Sequence, residues 1–175
     1  MNKKSLLTFG ALSLASITLA SCAGNPLVVT RINCPATAVM AGTSVLTKFK
    51  GDNRNVEDVV FNATISHVDR QCVQGEEGEV TATVTFRLMV QKGPAFEGDN
   101  VTVPYFAALM RDNNLITAKG KYETTVRFDA NELSSGTAET IVQHFNDVEI
   151  ARRYDYELLI GFQLSADEVT YNLTR

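Results

Sequence analysis

Beyond its first thirty or so residues, the chain is built on alternation of apolar and polar positions. In EVTATVTFRLMVQ, Val80, Ala82, Val84, Phe86, Leu88 and Val90 take every second place, with Thr81, Thr83, Thr85, Arg87 and Gln91 among the residues between them. Successive side chains of a strand point to opposite faces of a sheet, so a period of two predicts a half-buried β-strand. Comparable runs cover Val39–Lys48, Val59–Asp69, Val101–Arg111, Leu115–Phe128, Thr137–Ile150 and Tyr154–Leu164. Turn-forming clusters such as Gly51-Asp52-Asn53, Gly75-Glu76-Glu77-Gly78, Gly93-Pro94 and Asp112-Asn113-Asn114 separate them, supplying backbone angles that strand residues avoid. The pattern predicts an all-β fold, a single antiparallel immunoglobulin-like β-sandwich of about seven strands. A small barrel would have the same period. Pro104, inside the fourth run, favours the sandwich: a proline cannot donate to a ladder and is expected on an edge strand, where a seven-strand immunoglobulin order puts its fourth strand.

That fourth run also breaks the alternation. In VTVPYFAALMR, Val101, Val103, Tyr105, Ala107 and Leu109 form one face, and Pro104, Phe106, Ala108 and Met110 make the other apolar too. An edge strand should show water a polar face. The second face is therefore expected either to lie under Val169, Tyr171 and Leu173 of the C-terminal segment, or to receive a partner on Pro104, Phe106 and Met110. The C-terminal segment reads as a short helix or turn, because Ser165 and Glu168 have capping-box spacing and Val169 and Leu173 are one turn apart.

The N-terminus follows another rule. Lys3 and Lys4 precede an apolar run from Leu6 to Ala20, the charged head and short hydrophobic stretch of a secretory signal, too short for an ordinary membrane span. Leu19-Ala20-Ser21-Cys22 resembles the bacterial lipobox. The resemblance implies lipid attachment to the Cys22 thiol, cleavage before it and acylation of the new amino group. Several acyl chains hold firmly, since each buried methylene contributes roughly 0.8 kcal/mol. Ala23 stands where an inner-membrane retention signal would place Asp, so the resemblance implies the outer membrane, facing the periplasm. The expected plan is a signal peptide over 1–21, a lipidated N-terminus and tether over 22–37, and the sandwich domain with its short C-terminal helix or turn over 38–175.

Loss of the signal changes the charge. The whole chain carries 16 basic and 20 acidic residues; without Lys3 and Lys4 the mature chain stands at about −6. Such an acidic chain without clustered Arg or Lys is expected to bind no nucleic acid. With Cys22 taken by lipid, Cys34 and Cys72 remain as an even pair in an oxidising compartment, which predicts one disulfide from the segment before the first strand to the end of the second.

Candidate chemistry is sparse. The two histidines, His67 and His144, sit beside apolar residues in different runs, and no nucleophile elbow, zinc-binding helix motif or phosphate loop occurs. GDNRNVED, Gly51–Asp58, offers oxygen ligands, but not at the spacing of a calcium loop. No cofactor and no catalytic residue is expected. Taken together, the lipobox, the Cys34-Pro35 opening and the ending YELLIGFQLSADEVTYN, Tyr156–Asn172, resemble small, functionally uncharacterised envelope lipoproteins of alphaproteobacteria. The resemblance implies a location and a β-sandwich, and brings no activity with it. The expectation is a non-catalytic interaction or structural module tied to the membrane by its lipid, with an envelope protein as partner. The alternative is a carrier or sensor of a small envelope ligand, and an enzyme ranks behind both.

Overall fold

A computed structural model describes residues 34–146 and 156–174. In it the alternating runs become strands β1 (Ala36–Val39), β2 (Val45–Phe49), β3 (Val59–Gln74), β4 (Val80–Lys92), β5 (Asn100–Arg111), β6 (Leu115–Arg127), β7 (Ser134–Phe145) and β8 (Tyr156–Phe162), followed by helix α1 (Ala166–Thr174). They form two four-stranded sheets, ordered β1-β8-β5-β6 and β2-β3-β4-β7. Every pairing is antiparallel except that of β1 with β8, which is parallel. β4 lies beside β7 in one sheet and β5 beside β8 in the other, so the consecutive pairs β4–β5 and β7–β8 both cross between sheets. The immunoglobulin order interlocks in the same way, with B beside E and C beside F.

The inward residues of β4 carry the core. Val84, Phe86, Leu88 and Val90 are at most 1 % exposed and pack against Val103, Tyr105, Leu158, Ile160 and Phe162 of the opposite sheet. The Phe86 and Tyr105 rings meet edge to face at 5.5 Å. Burying each such side chain stabilises the fold by about 1.5–3 kcal/mol. A smaller cluster of Val80, Ala82, Leu109 and Phe145 closes one end.

Two expectations are corrected. The run Val39–Lys48 is not one strand: the chain turns at residues 40–44 and passes from one sheet to the other. Gly42 takes a left-handed φ of 76° there, and both the amide and the hydroxyl of Thr43 donate to the Met40 carbonyl. β1 begins at Ala36, so the folded sheet reaches back into the expected tether. Second, β5 is not an edge strand, since it pairs with β6 on one side and β8 on the other. The missing Pro104 N–H is accommodated differently. The β5–β8 register begins at Tyr105 opposite Phe162, and just beyond it the Pro104 carbonyl accepts from the Gln163 amide at 3.0 Å. The proline thus falls where that ladder ends, and only there is a donor dispensable.

β3 runs past its expected end at Asp69 to Gln74. A bulge between Ser66 and Asp69 shifts its register on β4, with His67 at a left-handed φ of 51°. The extra residues re-aim the strand without ending its pairing.

Candidate functional site

The outer face of β5 was the sequence's candidate docking strand. Phe106 is only 4 % exposed and Ala108 only 2 %, while Pro104 and Met110 are half-buried. Phe106 is register partner of Gly161 on β8. A side chain on Gly161 would collide with the Phe106 ring and the Thr43 hydroxyl, so the glycine is what lets this ring lie against the sheet. The Lys119 ammonium lies 4.3 Å from the ring centroid, a cation–π contact. Paired on both sides, β5 offers no free edge for strand addition.

The C-terminal segment is helical as expected and carries its capping box. The Ser165 amide donates to the Glu168 carboxylate at 2.8 Å, and the Glu168 amide to the Ser165 hydroxyl at 3.3 Å, which satisfies two end donors reciprocally. The ring, charge and hydrogen-bond contacts of α1 run to β2 and the turn before it. Tyr171 meets Phe49 edge to face at 5.2 Å, Glu168 pairs with Lys48 at 3.2 Å, and the Asn172 amide donates to the carbonyls of Gly42 and Val45. Between α1 and β2 lies a cleft of about 140 Å³ lined by Thr47, Lys48, Phe49, Arg54, Glu168 and Tyr171. Arg54 stacks 5.0 Å over Phe49 and donates to the Gly51 and Asn53 carbonyls. Burial pushes the Glu168 carboxyl up, but the hydrogen bonds from Ser165 and Lys48 outweigh it and hold the group below the usual glutamate value.

Cys34 and Cys72 form the expected disulfide, with α-carbons 5.8 Å apart. It ties the start of the described chain to the far end of β3, where Arg70 also donates to the Pro35 carbonyl at 2.6 Å. Cys22, the expected lipidation site, lies outside the described residues.

The histidines stay apart. His67 sits at the β3 bulge with Nδ1 3.0 Å from the Ser66 hydroxyl, and His144 pairs across to Thr81 at the same distance. The register places them about five residues apart along β4, roughly 17 Å. Among the described residues, no three His, Cys, Asp or Glu side chains gather where they could hold a metal ion. The acidic loop is internally engaged, with Asn55 donating to Asp58 at 3.3 Å across a 3-10 turn.

Sequence reasoning missed one polar cluster. Glu139 on β7 accepts from the Tyr105 hydroxyl on β5 at 3.0 Å and from the Thr124 hydroxyl on β6 at 2.7 Å, and Tyr122 stacks on Tyr105 at 5.3 Å. Burial, then the hydrogen bond to Glu139 and its negative charge, hold the Tyr105 phenol protonated well above its usual range. This arrangement closes one side of the sandwich by joining strands of both sheets. Its one signal in the sequence is parity: Glu139 is in phase with buried Ile141 and Phe145 and stands opposite Phe86, where a period of two calls for an apolar residue; the pattern marks the residue but does not reveal its partners.

No family model, curated protein or solved structure matches the chain.

Proposed function

We propose that the protein is a small lipoprotein of the bacterial cell envelope, held through Cys22 in the outer membrane and facing the periplasm, whose sandwich serves as a non-catalytic interaction or structural module. The observation that supports this best is the outer face of the β2-β3-β4-β7 sheet. There Thr81, Thr83 and Thr85 stand in a row on β4, facing His144, Val142 and Thr140 on β7. Val142 is 50 % and Val73, opposite Thr81, 69 % exposed. A sheet face that mixes short hydroxyl side chains with exposed aliphatics, and carries its charges, Asp69 and Arg87, towards one end, suits a protein partner that covers the aliphatics. The space between the sheets is filled by Phe86, Leu88, Ile160 and Phe162, which leaves the surface as the working part.

The test is cross-linking of a C-terminally tagged full chain in intact envelopes, followed by affinity capture and metabolic labelling with a clickable fatty acid. Wild type should carry the label and capture a defined envelope protein. Cys22→Ser should remain uncleaved and unlabelled, and Val142→Glu should lose the capture while keeping its fold. A labelled Cys22→Ser product would overturn the anchor. Undiminished capture by Val142→Glu would overturn the role of this face.

A further inference from the structure

The sandwich has four sheet edges, and three are closed or weak. β1 is four residues long. β2 has its Val45 carbonyl taken by Asn172 of α1. β7 opens on Ser134-Ser135-Gly136, which offers little side chain to pack. β6 is thirteen residues long and mostly exposed, and among the described residues pairs only with β5. Long open edges invite another strand, and charged residues normally discourage it. The charges on β6 discourage most partners and favour one.

Backbone geometry determines which residues would pair. Because the Pro104 carbonyl accepts from Gln163 of β8, the alternate residues Val103, Tyr105 and Ala107 aim their backbone groups at β6. Their register partners Thr124, Tyr122 and Gly120 face back. Phe128, two positions on from Val126, keeps the same parity by donating to the Asp99 carbonyl. The backbone groups of Lys119, Lys121, Glu123 and Thr125 therefore point off the open edge.

If a second β6 is added antiparallel by a twofold axis, outward residues must oppose outward residues. Centring on Lys121 or Glu123 sets that charge against its own copy, and centring on Gly120 sets Lys119 against Lys121. Centring on Thr124 opposes Lys121 to Arg127. Centring on Tyr122 opposes Lys121 to Glu123 twice and Lys119 to Thr125 twice. Directly opposed unlike charges stabilise a sheet and like charges destabilise it. We infer that β6 is a homotypic edge: two copies of this chain join β6 to β6 in antiparallel register about Tyr122, which makes one continuous eight-stranded sheet. The same Lys121 and Glu123 reject the registers centred within two positions of Tyr122; centring on Thr125 would set Glu123 against Arg127, but leaves only residues 123–127 of the strand overlapping, against 117–127 about Tyr122. This inference goes beyond the reading of the outer β2-β3-β4-β7 face and does not depend on it or on the lipid.

The test uses the full chain in detergent and in envelopes. Tyr122 would face its own copy in a non-hydrogen-bonded pair, with α-carbons about 4.5 Å apart, within disulfide reach. Tyr122→Cys should give a cross-linked dimer on non-reducing gels, whereas Thr125→Cys, opposite Lys119 in this register, should not. By sedimentation, wild type should dimerise. Lys121→Glu and Glu123→Lys should each weaken the dimer at least tenfold, and the double exchange should restore it. Lys121 and Glu123 are both exposed, and thermal unfolding verifies that each variant is folded. A monomeric wild type at tens of micromolar overturns the inference, as does a dimer indifferent to both single exchanges, or one that Thr125→Cys cross-links and Tyr122→Cys does not.

Discussion

The side-chain amide of Asn172, in the last turns of the chain, donates at 2.7 Å to the carbonyl of Val45, the first residue of β2. The same amide reaches the Gly42 carbonyl at 3.0 Å, so one side chain fastens the C-terminal helix to the turn and strand at the other end of the domain. Asn172→Ala would leave two part-buried carbonyls without this donor, at a cost of about 1–3 kcal/mol. Differential scanning calorimetry should show a Tm lower by several degrees. Truncation after Gln163 should cost more, because Phe49 then also loses the Tyr171 ring. An Asn172→Ala protein as stable as wild type would mean that α1 is held by its other contacts alone.

Acid should loosen the same helix. The Glu168 carboxyl is held below its ordinary value of 4.5 by its bonds from Ser165 and Lys48. A group with a depressed folded pKa contributes stability above its unfolded pKa and loses it as pH falls through the folded value. The contribution of Glu168 is thus full at neutral pH and fades below about pH 4.5. Glu168→Gln should destabilise the protein at pH 7 and should narrow the difference in unfolding midpoint between pH 7 and roughly pH 3.5. An unchanged difference would show that Glu168 is not the group responsible.

Closing the loop between Cys34 and Cys72, 38 residues apart, is worth about 4 kcal/mol by chain entropy. The double replacement Cys34→Ser, Cys72→Ser should lower the unfolding midpoint on the order of 10 °C. Dithiothreitol should lower that of wild type to match, with no effect on the variant.

Phe106 is buried against Gly161 under Lys119. Phe106→Asp should therefore cost at least about 3 kcal/mol, read as a loss of denaturant midpoint, because it places a carboxylate where the ring excluded water. Met110→Asp, at a half-buried position of the same face, should cost distinctly less. Equal and small losses at both sites would mean that the face is open to solvent.

The strands with strict alternation, β4 above all, were legible because one period links sequence to a single buried face. β1 was not, since ATAV has neither length nor contrast between its two faces, and its partner β8 lies at the other end of the chain. Pro104 misleads about the placement of β5, because its missing donor constrains one ladder position and not the whole strand. The disulfide and the Ser165–Glu168 cap were legible, since each needs only a pairing rule or a fixed spacing. Glu139 and Asn172 were not: an ordinary polar residue gains its role from which distant groups the fold brings within 3 Å, and no local spacing encodes that.

The parallel pairing of β1 with β8, Ala36 opposite Glu157, has a consequence for biogenesis. One sheet cannot be completed until the last strand has been synthesised, so a nascent chain must wait with β1 unpaired, a long-range closure of the kind that slows folding. Cys34 and Cys72 are both made well before β8. Once formed, their bond keeps the first strand beside β3 whether or not β8 has docked, which narrows the search that β1 must make for its partner.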